Sequence, residues 1–112
     1  MSKDCDAFIL IGSHPARLAA AYHLSFGPLN FGEIKDKVDE HYIGKLGYRE
    51  GIEVEWLKTH LEKHLIGDGL VREENGKYIL DVSPLVVDFV RELYVDDDFW
   101  GRVRMLDPSF FK

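Results

Sequence analysis

A single cysteine, Cys5, stands in the whole chain. That excludes an internal disulfide and is the usage expected of a reducing, intracellular compartment. The four prolines and ten glycines are scattered, so no Pro-, Gly- or Ser-rich linker, internal repeat or low-complexity tract divides residues 1–112, and the length fits one domain. Long apolar runs are missing too. The longest, Ala7 to Ile11, is far short of the roughly 20 residues a bilayer span requires, which predicts no membrane partner. Asp4 and Asp6 sit where a secretory leader would be basic. The scarcest commodity is positive charge: 14 Lys and Arg face 20 Asp and Glu, a formal net charge of −6. Nucleic-acid binders draw affinity from neutralising phosphates, so this deficit is the main compositional objection to such a role. It does not decide the matter, since only a binding face must be basic. The acid is spread out, with 10 basic and 13 acidic side chains in residues 1–80 and 4 and 7 in residues 81–112.

What is present is enough for a core: 46% of residues are hydrophobic and 12% aromatic. Residues 6–11 form an apolar segment, read as a first helical piece, that ends at Gly12. Ser13-His14-Pro15 opens the next helix, with Ser13 as the expected cap and proline in the first turn, where its missing amide costs nothing. Leu18, Ala21, Tyr22 and Ser25 recur at helical spacing until Gly27-Pro28. Asn30 and Glu33 have the spacing of a capping box, which starts a helix over about 31–38 with Phe31, Ile34 and Val38 on one face. Residues 39–52 show three glycines and no sustained period, predicting a loop of about fourteen residues. From Glu53 to Ile66 the helical signal is strong, with Val54, Leu57, Leu61 and Leu65 as one apolar stripe. Asn75-Gly76 between two β-prone runs predicts a hairpin with a type I′ turn. Ser83-Pro84 starts a last helix through Val86, Phe89, Val90 and Leu93, which fades at Asp96-Asp97-Asp98.

The expected fold is therefore mainly α with a small β-hairpin: a three-helix core over residues 7–81, then a C-terminal helix and aromatic tail over 82–112. In this order the chain resembles the winged helix-turn-helix regulators of archaea and bacteria, including the ArsR-like type. HPARLAAAYHL at 14–24 is similar to that family's Pro-x-Arg-Leu opening, GPLNFGEIKDKV at 27–38 to its Gly-Pro turn and second helix, and WLKTHLEKHLIGDGLVREENGKYIL at 56–80 to its recognition helix and wing. Length and acidity are also similar to those of small winged-helix proteins encoded by spindle-shaped viruses of hot-spring archaea. The chain departs from the pattern in two places: segment 39–52 is longer, and one residue more stands between His60 and Gly69.

The resemblance implies a sequence-specific, double-stranded DNA-binding transcription regulator. The helix over 53–66 would enter the major groove, and a wing over 70–81 would lie on backbone or minor groove. Its outward face holds Glu55, Trp56, Lys58, Thr59, Glu62 and Lys63. Lys58 and Lys63 are candidates for phosphate, Thr59 for a base edge and Trp56 for packing on a sugar. Arg72, Asn75 and Lys77 are the candidates on the wing, and Lys45 and Arg49 those on the marginally basic stretch 35–49. Glu53, Glu55, Glu62, Glu73 and Glu74 weigh against them, and the competing reading is a protein-protein interaction module with an acidic surface. His60 and His64 are four apart, the spacing of two metal ligands on one helix face, but HLEKH is not the zinc-protease H-E-x-x-H pattern. No metal, cofactor or enzymatic site is expected: there is no phosphate-cradling glycine loop and no Ser-His-Asp constellation. Leu85, Phe89, Val90, Leu93, Phe99, Trp100, Phe110 and Phe111 exceed the needs of one small core, which points to a homodimer built on the first helical segment and the helix over 84–95.

Overall fold

A computed structural model describes residues 3–106. It is mainly helical with one small antiparallel hairpin. Helices α1 (Lys3–Gly12), α2 (Pro15–Leu24) and α3 (Phe31–Gly44) lead to α4 (Val54–Lys58), which continues without a break as a π-helical segment (Thr59–Ile66). Strands β1 (Val71–Glu74) and β2 (Lys77–Leu80) follow, then α5 (Pro84–Tyr94) and α6 (Asp97–Val103). No helix among the described residues is long and apolar enough to cross a membrane.

Helix α2 is the centre. Ala16, Leu18, Ala19, Ala20, Ala21 and Leu24 are all buried, and the alanines let neighbouring backbones approach closely. Helices α1, α3, α5 and the π-helical segment all pack on it. Its cap differs from the expectation: the His14 imidazole, not Ser13, accepts from the Ala16 amide at 3.1 Å, while the Ser13 hydroxyl donates to the Leu10 carbonyl. Arg91 of α5 closes the other end, donating to the Ser25 carbonyl (2.9 Å) and hydroxyl (3.2 Å) with its guanidinium 4.4 Å over the Phe26 ring.

The Asn30 capping box forms as expected. Asn30 accepts from the Glu33 amide at 2.8 Å, and the Glu33 carboxylate accepts from the Asn30 amide at 3.0 Å. Helix α3, however, runs to Gly44, so the expected fourteen-residue loop begins only after it. The buried stripe Ile34 and Val38 continues through His41 and Tyr42, two residues whose polar atoms hid the period from a hydropathy reading. Helix α5 ends at Tyr94, just before the Asp96-Asp97-Asp98 run as expected, and the run then starts a further helix. The Asp96 carboxylate accepts from the Asp98 and Phe99 amides, and Asp97 and Asp98 sit at the positive end of the α6 dipole. Trp100 is thereby buried and donates to the Tyr94 carbonyl. Of the aromatic surplus, Phe89 and Phe99 are half-buried and Leu85 is exposed; Phe110 and Phe111 lie outside the described residues.

The hairpin pairs Val71 with Leu80, Arg72 with Ile79, Glu73 with Tyr78 and Glu74 with Lys77. Asn75 and Gly76 both have positive φ, 53° and 77°, as a type I′ turn requires. Tyr78 also bridges antiparallel to Leu29, through amide-to-carbonyl bonds of 2.7 and 3.2 Å, so the α2–α3 connection is pinned to the outer edge of β2.

Candidate nucleic-acid interface

Leu57, Leu61 and Leu65 are fully buried and fix the back of the α4–π helix. Val54 departs from the expected stripe. It is 47% exposed, because it sits in the first turn, ahead of the part that packs on α2. His60 joins the stripe in its place, 5% exposed, with its ring 3.9 Å from that of His14 and its Nδ1 accepting from the Arg17 Nε at 3.1 Å. The His60 ring also lies 5.7 Å from that of His64, tilted by 33°. Among the described residues no group of three or more metal-ligating side chains gathers. Burial, then the charges of Arg17 and Lys63, holds the His64 pKa below its ordinary value.

The helix over Thr59–Ile66 is a π-helical segment. Its end is bonded i to i−5: the Gly67 amide donates to the Glu62 carbonyl at 3.1 Å and the Leu70 amide to the Leu65 carbonyl at 2.9 Å. A Cβ on Gly67 would lie 2.2 Å from the Lys63 carbonyl oxygen, so only glycine fits there.

The outward face carries Glu55, Trp56, Lys58, Thr59, Glu62 and Lys63, all exposed. Three of the nominated groups already have internal work. The Thr59 hydroxyl donates to the Glu55 carbonyl at 2.9 Å, which leaves it only acceptor capacity. The Lys58 ammonium lies 5.6 Å over the Phe31 ring of α3. On the hairpin, Arg72 pairs with Glu74 and, at 3.6 Å, with Asp81. Asn75 and Lys77 are exposed at the tip. Burial, then Glu73, raises the Tyr78 pKa to about 12.

The connection 45–53 is braced rather than loose. The Asp39 carboxylate accepts from the Ile52 amide at 3.0 Å and pairs with Lys35, one turn earlier on α3. Gly51 packs directly on that carboxylate. Lys45 caps the C-terminus of α3 and pairs with Asp97 at 3.3 Å, so it is tied to α6 rather than presented with the helix; Arg49 is exposed. Helix and hairpin residues therefore flank one another along the chain, Arg49 stands on the connection before them, and Lys45 is drawn elsewhere. Asp39 and Gly51 had no local sequence signal, being twelve positions apart. A comparison with protein-family models, curated proteins and solved structures finds no match.

Proposed function

We propose that this chain is a winged helix-turn-helix transcription regulator that binds duplex DNA, with the 54–66 helix in the major groove and the 71–80 hairpin on backbone or minor groove. One observation carries the reading. A helix buried on one side by Leu57, Leu61 and Leu65 leaves its whole opposite side in solvent, and a hairpin tied to Leu29 follows it within five residues. That is the relation of recognition helix to wing. All the cations on this surface are exposed; Arg49, Lys63 and Lys77, with Lys58 once it leaves the Phe31 ring, are assigned to phosphates. Arg72 and Lys45 reach DNA only by leaving Glu74, Asp81 and Asp97. Trp56 packs on a sugar, and Asn75 enters a groove.

The chain acts as a homodimer in this reading, through α1 and α5, where Ile9 is 65% and Leu85 60% exposed. Sedimentation of the wild type and of Ile9→Glu tests the pairing; a monomer in both discards it.

Anisotropy titrations on a selected and a scrambled duplex at several salt concentrations test the DNA reading. Lys63→Ala and Lys77→Ala should each flatten the salt slope by about 0.9, one phosphate's worth of counterion release, on both duplexes alike. Arg72→Ala should flatten it less, since its charge is already shared. A second reading, an acidic protein-interaction module, is favoured by the exposure of Val54 and Trp56 beside Glu53 and Glu55. Absence of binding to either duplex at low salt, with the dimer intact, selects it.

A further inference from the structure

Away from the presented helix, α2, α3 and α5 line an open groove of about 410 Å³ that includes His23, Lys37, His41, Gly44, Lys45 and Tyr94. Three features of it are not explained by folding. First, His41 is 2% exposed, yet neither ring nitrogen has a hydrogen-bond partner among the described residues. Its ring is held between Tyr94, at 4.9 Å, and the edge of Trp100, at 4.1 Å. A phenylalanine would fill that space without leaving a buried donor and acceptor unmet, a cost that a fold does not carry for packing alone. Second, Lys37 and His41 of α3 and its C-cap Lys45 are spaced four residues apart, so one cation stands a turn before the imidazole and one a turn after it. Third, Gly44 ends α3 with ordinary backbone geometry, and a Cβ there would meet nothing within 4 Å. Alanine would suit the helix better; glycine leaves the groove open.

We infer that this groove is a binding site for a small organic carboxylate, seated between Lys37 and Lys45 with His41 donating to it and the organic body lying against His23 and Tyr94 over Gly44. Counted with Asp97, the charges balance, Lys37 and Lys45 against Glu40 and Asp97, so a carboxylate enters by taking the place of Asp97 at Lys45. The neutral imidazole suits the role, since burial and then Lys45 hold the His41 pKa down near 4, so it offers one N–H and carries no charge of its own at neutral pH. Access comes through the rim side chains of Lys37, Glu40 and Lys45, all exposed. The size is within the range of small-molecule sites. The proposal is independent of whether the chain binds DNA.

The test uses the full chain and benzoate as the carboxylate probe, with benzamide as its uncharged counterpart. Binding is followed by calorimetry and by the nitrogen resonances of the His41 ring. Benzoate should bind in the millimolar range or tighter, move the His41 resonances, and bind at least tenfold more tightly than benzamide. Gly44→Leu should abolish binding while keeping the helical spectrum, and Gly44→Ala should weaken it in the same direction should the leucine variant not fold. His41→Phe should melt higher than wild type and lose benzoate. Equal binding of benzamide, unmoved His41 resonances, undiminished binding in the Gly44 variants, or no binding of benzoate at 10-fold above the millimolar range each overturns the proposal.

Discussion

Replacing Gly51 by alanine tests how the connection 45–53 sets the entry of the presented helix. A Cβ built on Gly51 falls 1.9 Å from Asp39 Oδ1, 2.2 Å from its Cγ and 2.7 Å from its Cβ. Gly51 is not among the residues of positive φ, so the backbone itself accepts an alanine. The clash must be relieved by pushing Asp39 aside, which strains the loop by about 1–3 kcal/mol, as overpacking does. It also loosens the bond from the Ile52 amide, whose charged acceptor makes it worth about 1.5–3 kcal/mol. Reduced freedom of the unfolded chain returns about 0.4–1 kcal/mol. The expected net loss is about 2–3 kcal/mol, or roughly 10–20 °C in Tm for a domain of this size. The control is Asp39→Gly, since the Asp39 Cβ alone is too close for an alanine variant to clear the space. In that background Gly51→Ala should cost less than about 0.5 kcal/mol and can become stabilising. Urea unfolding of wild type, both single variants and the double variant gives the coupling, expected at about 2 kcal/mol. Additivity within about 0.5 kcal/mol would show that the two residues do not brace one another and would refute the reasoning.

Two further outcomes are expected. Arg91→Ala loses two charged hydrogen bonds to Ser25 and the contact over Phe26, and should cost about 1.5–3 kcal/mol by urea unfolding, with Arg91→Lys recovering less than half because an ammonium cannot span both oxygens. His41 is lowered to about 4 by burial, so below pH of about 6.5 the unfolded chain binds a proton that the folded chain refuses; stability is intact above that pH and falls by up to about 1.4 kcal/mol per unit as pH drops toward 4. His41→Phe should remove this segment of the pH profile, and an unchanged slope in thermal melts between pH 7 and 4.5 would place the loss elsewhere.

Features settled within four or five residues were legible in the sequence. The Asn30–Glu33 box, the Asn75-Gly76 turn, the Ser83-Pro84 start and the Leu57, Leu61 and Leu65 stripe each rest on neighbours whose chemistry leaves few alternatives. Boundaries failed where a polar residue did apolar work. His41 and Tyr42 extend α3 as core residues, and three aspartates that read as an ending supply a cap and favourable dipole charges to α6. The interface was harder, because exposure of a cation depends on partners chosen by tertiary structure. Lys45 meets Asp97 across fifty-two positions. The Arg72 pairing was closer to reach: residues two apart on a strand share a face, so Glu74 stood beside it from the start.

The π-helical segment shapes the face that this helix presents. In a regular α-helix, eight residues turn the chain about 80° past two full rotations, so Leu65 would sit toward the margin of the buried stripe that Leu57 begins. Bonding i to i−5 turns the chain less per residue. From Thr59 onward the helix therefore keeps Leu61 and Leu65 over the same side as Leu57, and all three are fully buried. The cost is borne at the end of the segment, where Gly67 is crowded by the Lys63 carbonyl. Glu55, Lys58, Glu62 and Lys63 are all exposed on the opposite side, so this face offers carboxylates as well as ammonium groups to a partner. If the helix enters a DNA groove as proposed, Glu55 and Glu62 flank Lys58 and accept from cytosine amino groups.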